Sequence, residues 1–324
     1  MTKLSDNTGT EYAIRQNTGI GKKRYFFRRL IKERYLHLMI LPAVLSMLIF
    51  SYMPLYYITA AFRDYKIFKP LEESAWVGFK FFIEFFNDER FFLIIRNTLG
   101  ISILRLVIGF PLPIILAILI DELRQKRFKS LVQTVSYFPH FVSWVILGGI
   151  VIDWLSTGGM IPSLLTSLGL IDTPENLLSI KKLFWPILLV SDIWKEIGWR
   201  TIIYLAAIAG INAELYQSAI VDGANRFRRI WHITAPGIKG TVVILFILSC
   251  SNLMSSNFDQ LMVLSNPLVY DVSDVLDIYV YRVGMQLGRY SSAAAIGLFQ
   301  SVISLALLLG ANRLSRKLAE TSLF

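Results

Sequence analysis

Long apolar stretches separated by short polar segments make up most of this chain. Six stretches are long enough for a membrane-crossing helix, which needs about 20 mostly apolar residues to cross about 30 Å of hydrocarbon. They cover residues 37–59, 93–120, 131–153, 183–209, 241–264 and 293–311. Alternating segments of about ten residues, typical of membrane β-barrels, are not seen. The pattern predicts an all-α integral membrane protein with about six transmembrane helices.

The polar segments predict how the chain is organised. Residues 1–36 form a basic, cytoplasmic N-terminal segment, and residues 37–324 form the transmembrane domain. Residues 60–92 are expected to form an outer cap rich in Phe, with a turn at Gly78. The basic, aromatic run at residues 22–29 either stops the chain at the cytoplasmic headgroups or forms an amphipathic helix on anionic lipid.

The distribution of charge supports this topology. Of the 324 residues, 54% are hydrophobic and 17% are charged, and the formal net charge is +10. Most Lys and Arg residues lie in the N-terminal segment, in residues 121–130 and 212–239, and near the C-terminus. This is the positive-inside pattern, which places both termini in the cytoplasm. It explains the basic charge without a nucleic-acid partner.

Residue types that perform catalysis or bind metals are sparse. The single cysteine, Cys250, lies in the fifth stretch, where it serves as a small packing residue. The His residues at 37, 140 and 232 have no spacing that would build a metal site. The sequence shows no phosphate-binding loop and no distinctive nucleophile with a nearby base, which makes an intramembrane hydrolase a poor fit. It therefore predicts no catalytic residue, metal or cofactor in this chain.

Charged residues inside the predicted spans are the first candidates for function. Arg105 lies in the second stretch, and the fourth contains Asp192, Lys195, Glu196 and Arg200 on one helical face. Such groups cost at least about 2–3 kcal/mol each in lipid, so they should face protein or water. Two interpretations stay open. The charges either neutralise one another in place (Asp192 with Lys195, Glu196 with Arg200) or line a polar pathway.

The second half of the fifth stretch is too polar for a helix that faces lipid. Its polar side chains either allow tight helix packing or form a wall that hydrogen-bonds a polar solute, and the run of Asn, Asp and Gln favours the wall. The candidate residues are Asn252, Ser255, Ser256, Asn257, Asp259 and Gln260.

Residues 212–236 form a structured cytoplasmic loop between the fourth and fifth stretches. The pattern predicts two short amphipathic helices that meet at Asp222 and Gly223, because glycine permits the left-handed bend that ends a helix. Glu214 lies near the start of the first helix, where a carboxylate suits the positive helix end. Pro236 is expected to stop the second helix before the next span. Such a loop favours a protein partner; the alternative is a helix pair resting on the headgroups.

The spacing in this loop resembles the EAA loop of permease subunits from binding-protein-dependent ABC importers. That pattern is Glu-Ala-Ala, three residues, Gly, nine residues, Ile, two residues and Pro. The matching positions are Gln217, Ser218, Ala219, Gly223, Ile233 and Pro236. Gln and Ser replace the family's first Glu and Ala, which removes a charge that could pair with a partner. Residues 137–144, 199–204 and 266–270 resemble the carbohydrate-uptake branch, especially permeases for oligo- and polysaccharides such as alginate.

The resemblance implies a type I importer permease bundle in the bacterial inner membrane, forming half of a translocation pathway. The implied partners are a second permease in a heterodimer, two ATPase subunits, an extracytoplasmic solute-binding protein, and a carbohydrate solute, acidic if it is like alginate. ATP and Mg would be bound by the separate ATPase subunits. The cytoplasmic loop would dock in a cleft of the ATPase as its coupling helix.

An ion-coupled secondary transporter of a polar solute is the chief alternative. Its coupling carboxylates would be Asp192 and Glu196, and it would need paired broken helices in an internal repeat. The sequence shows no such repeat, and this alternative leaves the structured cytoplasmic loop unexplained.

Overall fold

The computed structural model describes residues 33–319, and almost all of them lie in helices or in the short turns between helices. Among these residues, extended pairing is limited to one isolated bridge between Arg63 and Trp76. The chain divides into two compact units, one up to Thr59 and one from Ala60 onwards. The basic run at residues 22–29 lies outside the described residues, so both interpretations of it stay predictions.

The described helices are numbered here in chain order. They are α1 (Arg34–Phe62), α2 (Lys80–Phe86), α3 (Phe91–Asp121), α4 (Lys126–Tyr137), α5 (Trp144–Leu155), α6 (Met160–Ser167), α7 (Lys181–Ala209), α8 (Ala213–Val221), α9 (Arg226–Met254), α10 (Phe258–Leu264), α11 (Tyr270–Ser273), α12 (Leu276–Tyr281) and α13 (Tyr290–Ala319).

The helical membrane architecture confirms the predicted fold class. Five segments among the described residues are long and apolar enough to cross a bilayer: α1, α3, α5 with α6, α9, and α13. The predicted fourth span, α7, has 29 residues and is equally long. Its charged residues lower its apolar character, so α7 needs protein or water around its polar face.

The third and fifth predicted spans differ from the helices that form. The stretch 131–153 is interrupted by a 3₁₀ turn that contains Pro139, and α5 starts afresh where the Ser143 hydroxyl accepts a hydrogen bond from the Ile146 N–H at 3.4 Å. The stretch 241–264 is interrupted after Met254, and α10 begins only at Phe258. Proline and local side-chain caps therefore divide apolar stretches that look continuous in the sequence.

The turn predicted in the outer cap at Gly78 is confirmed. Gly78 has a φ of +60°, a conformation that other residues rarely adopt. It lies between the bridged Trp76 and helix α2. The ring of Trp76 stacks on Phe62 with centroids 5.6 Å apart, which fixes the start of the cap.

The main hydrophobic core lies between α3, α5, α7 and α10. Its buried members include Ile101, Leu147, Phe184, Leu188 and Leu261. This packing holds the N-terminal half of α7 and fixes the direction of its charged C-terminal half.

Polar contacts attach the segment that contains α11 and α12 to helix α3. The Asn97 side chain is fully buried and donates to the carbonyl oxygens of Asp271 and Asp274 at 3.1 and 3.0 Å. Thr98 accepts the Leu276 N–H at 2.9 Å, which fixes the start of α12. Asp271 itself is exposed, and the hydrogen bond from Lys181 lowers the pKa of its carboxyl below the usual range. The position of α12 matters because α12 contacts the interruption that precedes α10.

Helices α4 and α7 approach each other at Gly198 so closely that no side chain fits between them. A Cβ atom built on Gly198 would lie 2.0 Å from the Ser136 carbonyl oxygen and 2.9 Å from the Tyr137 nitrogen. These are backbone atoms, so they cannot move aside as the end of a flexible side chain could.

Replacing Gly198 with alanine should therefore destabilise the protein by about 1–3 kcal/mol, the usual cost of overpacking. The measurement is the thermal unfolding midpoint of purified protein in lipid nanodiscs. Gly240→Ala is the matched control, because no atom lies within 4 Å of a Cβ built there. Equal midpoints for the two variants would contradict the close backbone contact.

Candidate functional site

A cavity of about 440 Å³, lined by both polar and apolar residues, lies between α3, α7 and the C-terminal end of α9. Six of the residues predicted for a pathway line this cavity: Arg105, Asp192, Arg200, Asn252, Ser255 and Asn257. These residues come from α3, from α7, and from the end of α9 with the interruption that follows it, which are far apart in the sequence. The structure therefore brings the charges of the second and fourth predicted spans together with the polar end of the fifth.

Arg105 enters the cavity from a local widening of helix α3. Residues Arg105–Gly109 form a π-helical turn just before Pro111, and such turns are frequent at functional sites. The guanidinium donates to the side-chain oxygen of Gln260, a neutral group. Its Nε is buried and has no hydrogen-bond partner among the described residues. The charge of Arg105 is thus held by a hydrogen bond but is not neutralised by a direct ion pair.

Asp192 and Arg200 form the ion pair of the cavity. The Arg200 Nη2 lies 3.2 Å from the Asp192 Oδ2, and Asp192 is 1% exposed. The same Oδ2 accepts no well-directed hydrogen bond in the described structure, so the pair is close but poorly aligned. Asn257 donates to the other carboxylate oxygen at 3.4 Å. A cavity with two arginines and one aspartate carries one net positive charge.

The predicted in-place pairing of Asp192 with Lys195 and of Glu196 with Arg200 is wrong. Long side chains on a helix lean towards its N-terminus, so Arg200 reaches back two turns to Asp192. Lys195 and Glu196 instead pair with each other at 3.4 Å. They turn towards the 3₁₀ segment before α5, which offers them further partners.

Lys195 and Glu196 do not line the cavity, contrary to the pathway interpretation. The Lys195 ammonium donates to the His140 carbonyl oxygen at 2.6 Å, and the Glu196 carboxylate lies 2.9 Å from the His140 Nδ1. The His140 ring stacks on Trp199 at 4.3 Å with nearly parallel planes. This cluster holds the 3₁₀ segment against α7 and supports Trp199 from one side.

The polar end of the fifth stretch divides between cavity wall and packing. Asn252, Ser255 and Asn257 line the cavity, whereas Gln260 is fully buried behind it. The Gln260 amide donates to the Leu188 carbonyl and the Ser191 hydroxyl, both at 2.8 Å. Part of this stretch therefore packs against α7, and part of it lines the cavity, where binding of a solute stays a prediction.

Ser256 and Asp259 do not contribute to the cavity surface. Ser256 is 6% exposed, and Asp259, at the start of α10, is exposed outside the cavity lining. A rule that selects polar residues by type cannot separate them from Asn257. Only the interruption before α10 determines which side chains turn inwards.

Besides aliphatic residues, the lining contains five aromatic and hydroxyl residues that were not selected from the sequence. They are Ser102, Phe110, Trp199, Tyr204 and Ser249. Trp199 lies about two helical turns after Asp192 in α7. Helical spacing could therefore have placed both residues on the same face of the helix. Nothing in the local sequence separates the other four from ordinary packing residues.

The loop at residues 212–236 has the predicted bend. Helix α8 is capped by Asn212, whose side-chain oxygen accepts the Glu214 N–H at 2.9 Å. Gly223 has a φ of +76°, and the Ala224 N–H bonds the Ala219 carbonyl oxygen at 2.8 Å. This is the left-handed helix ending expected from the sequence.

The second helix of the loop does not stop at Pro236, contrary to expectation. It continues from Arg226 into span five as the single helix α9. A π-helical turn at Ile230–Thr234 precedes Pro236, which occupies the first turn of the α-helical segment that follows. A widened turn and a first-turn position both tolerate a proline that lacks an N–H.

Much of the loop surface is apolar and exposed. Val221, Phe227 and Trp231 are 87%, 75% and 72% exposed. Gln217 and Ser218 are also exposed, and Asp222 and Pro236 lie at the surface, whereas Ile233 is partly buried. A hydrogen bond of 2.9 Å between the Tyr216 and Thr234 hydroxyls connects α8 to the π-helical turn of α9. Apolar side chains grouped in this way typically mark an interaction surface.

Comparisons with known proteins identify relatives of this chain. The family model of the binding-protein-dependent transport system inner membrane component matches residues 109–320. Protein LplB of Bacillus subtilis (strain 168) is 40% identical over 304 residues, which cover 94% of this chain and 95% of LplB. The polygalacturonan/rhamnogalacturonan transport system permease protein YteP of the same organism is 40% identical over 305 residues, 94% of each chain.

Solved structures show the same fold. A chain in the crystal structure of a bacterial ABC transporter involved in the import of the acidic polysaccharide alginate is 38% identical and superposes with a TM-score of 0.83. The match covers 91% of this chain and 99% of that one. A second structure of bacterial alginate ABC transporter, in complex with an alginate pentasaccharide-bound periplasmic protein, matches with the same identity and TM-score.

The cavity predicts which positions of the polar stretch are open to water. In a Cys250→Ser background, Asn252→Cys and Ser255→Cys should react with a membrane-impermeant thiol reagent, because both positions are exposed and line the cavity. Gln260→Cys should stay inert, because Gln260 is fully buried. Labelling of protein in nanodiscs, where the reagent reaches both faces, measures this. Equal labelling at all three positions would refute the division into wall and packing.

Proposed function

This chain belongs to the family of binding-protein-dependent transport system inner membrane components, and we propose that it forms half of the translocation pathway of an ATP-driven importer for an acidic oligo- or polysaccharide. The membrane-embedded helices and the matching permeases make it a carbohydrate permease of the ABC importer class. The acidic solute and the arrangement of the subunits are the finer parts of the proposal.

The observation on which the proposal depends is the uncompensated positive charge of the cavity. Arg105 and Arg200 contribute two cations and Asp192 contributes one anion, while the Arg105 side chain hydrogen-bonds the neutral Gln260 and has no direct ion pair among the described residues. A cation at membrane depth is costly unless an anion comes within reach. A uronate carboxylate supplies that anion and fits the planar guanidinium.

The remainder of the lining suits a carbohydrate. Asn252, Asn257 and Ser255 offer amide and hydroxyl groups that hydrogen-bond sugar hydroxyls. Trp199 is 44% exposed and has His140 stacked at 4.3 Å on its ring, so one face of the indole is already covered. Sites for polar ligands combine such apolar rings with a few placed polar groups.

The relatives support an acidic solute. YteP is named for polygalacturonan and rhamnogalacturonan, and the structural match is to an importer of the acidic polysaccharide alginate. A cavity with a net positive charge is consistent with a solute of that class.

The proposed partners follow from the same relatives and from the loop surface. A second permease would provide the other half of the pathway as a heterodimer, and an extracytoplasmic binding protein would deliver the solute, as in the matching complex with a periplasmic protein. Two separate ATPase subunits would bind ATP and Mg and receive the exposed apolar residues of the loop. In this arrangement both termini of the chain lie in the cytoplasm of a bacterial cell.

An ion-coupled transporter is the weaker interpretation. Asp192 faces Arg200, and Glu196 is shared between Lys195 and His140. Each carboxylate therefore already has a basic partner within the chain, and neither stands alone as a site for a coupling ion. Transport that survives a gradient uncoupler and stops when ATP is removed would separate the two interpretations.

Arg105→Gln should reduce uptake of an acidic oligosaccharide more than uptake of a neutral one. A charge-assisted hydrogen bond is worth roughly 1.5–3 kcal/mol, so the half-saturating uronate concentration should rise about tenfold or more. Neutral hydroxyls still find an acceptor and a donor in the introduced side-chain amide, and their uptake should change little. The measurement is transport by the reconstituted complex with a uronate and a neutral oligosaccharide of equal length.

Arg313→Gln is the control, because it removes an exposed cation that is not part of the cavity lining. An unchanged ratio of uronate to neutral uptake in Arg105→Gln would refute the charge-based selectivity. Equal uptake of both sugars by the unaltered complex would do the same.

Gly223→Val should leave the protein inserted but weaken its coupling to the ATPase. The φ of +76° at this position strains any β-branched residue by at least about 1–2 kcal/mol, so the angle of α8 should change. The measurements are co-purification of the ATPase subunits and solute-stimulated ATP hydrolysis.

Two further substitutions separate backbone strain from side-chain size. Gly223→Asn should retain most of the coupling, because asparagine tolerates the left-handed conformation. Gly158→Val places the same valine at a glycine without a positive φ and should have no effect on coupling. Normal ATPase recovery and stimulation in Gly223→Val would refute the coupling function of this bend.

A further inference from the structure

The interruption between α9 and α10 leaves backbone groups without helical partners. Ser255 has extended dihedral angles, and Asn257 caps α10 by accepting the Gln260 N–H at 3.4 Å. In a bilayer each unsatisfied backbone group costs several kcal/mol, so other elements must supply partners. The residues between the two helices show where those partners come from.

Side chains from three other helices bind this interruption. Ser102 in α3 donates to the Ser255 carbonyl oxygen at 3.3 Å, and Gln300 in α13 donates to the Met254 carbonyl oxygen at 2.9 Å. The Asp277 carboxylate in α12 accepts the Ser256 N–H at 2.6 Å.

Asp277 is the residue that connects these contacts. Its Oδ2 accepts the Ser256 N–H and lies 3.4 Å from the donating Ser255 hydroxyl. Its Oδ1 accepts the Gln300 amide at 2.7 Å. A carboxylate can accept several hydrogen bonds at once, and each bond to its charge is about twice as strong as a neutral one.

Asp277 does not itself line the cavity. It binds the backbone of Ser256, and the residues before and after Ser256 do line the cavity. Asn252, Ser255 and Asn257 belong to the lining, whereas Asp277 and Gln300 lie behind them. A shift of the Ser256 backbone would move Ser255 and Asn257 relative to the charged groups of the cavity. Asp277 thus acts on the cavity through the backbone of the interruption.

We propose that Asp277, supported by Gln300, is a positioning residue that holds the interrupted span in the form that presents Ser255 and Asn257 to the solute. The part of this statement that concerns the solute rests on the proposed function. The negative charge of Asp277 is what the position requires, because its oxygens face only donors among the described residues: a backbone N–H, a hydroxyl and an amide.

The test compares Asp277→Asn with the unaltered complex. Asparagine keeps the shape but turns one acceptor into a donor, which then faces the Ser256 N–H or the Gln300 amide. The half-saturating concentration of a uronate oligosaccharide should rise about tenfold, while the maximal transport rate changes by less than about twofold. In a Cys250→Ser, Asn257→Cys background, the same substitution should raise the labelling rate of the new thiol about threefold or more, because the segment loosens.

Asp271→Asn is the matched control. Asp271 is an exposed carboxylate of the same outer segment, and its side chain bonds Lys181 rather than the interruption. Neither the half-saturating concentration nor the labelling rate should change in this control. Gln300→Met removes the supporting donor at similar size and should shift both values in the same direction by about threefold.

The outcomes separate this proposal from the proposed function. An unchanged labelling rate together with an unchanged half-saturating concentration in Asp277→Asn would overturn the positioning role of Asp277. A lower maximal rate with an unchanged half-saturating concentration would overturn it as well. If the unaltered complex transports no uronate oligosaccharide, the proposed function fails and the labelling rates alone decide whether Asp277 positions the segment. If Asp277→Asn cannot be recovered from the membrane, Gln300→Met decides by the same two measurements.

Discussion

Hydrocarbon offers no hydrogen-bond partner, and this constraint determines where the chain places its charges and its irregular backbone. The interruption that borders the cavity occurs where Ser102, Asp277 and Gln300 supply bonds from three other helices. The same constraint explains Gln260, which is fully buried and uses both its donors and its acceptor. Gln260 and the backbone of the interruption are thus satisfied by contacts from other helices, whereas the Arg105 Nε and the Asp192 Oδ2 at the cavity have no hydrogen-bond partner among the described residues.

The helical fold and the loop bend could be predicted because both depend on local patterns. Apolar length identifies a span in any context, and the bend at Gly223 needs only a residue that tolerates positive φ. Pro236 shows the limit of such rules. The general effect of proline on a helix predicts a stop, whereas a widened turn at Ile230–Thr234 allows the helix to continue.

The candidate site could be predicted only in part, because its geometry depends on partners distant in sequence. The periodicity of α7 places Asp192, Lys195, Glu196 and Arg200 on one face, but it does not show that His140 attracts two of them away from the cavity. Polar composition marks the end of the fifth stretch, but it does not show that Asp277, on a different helix, shapes it. Residue type therefore identified the segments that border the cavity. Contacts with residues distant in sequence determine which side chains line it.

The contact at Gly198 has a mechanical consequence. Packed helices can slide past each other by small amounts when the side chains between them change rotamer. At this point the backbones of α4 and α7 meet directly, since even a methyl group would overlap the Ser136 carbonyl. We therefore expect the C-terminal end of α4 to follow α7 when α7 moves. Asp192, Arg200 and Trp199 all lie on α7, so such a movement would displace these three together relative to Arg105, which lies on α3.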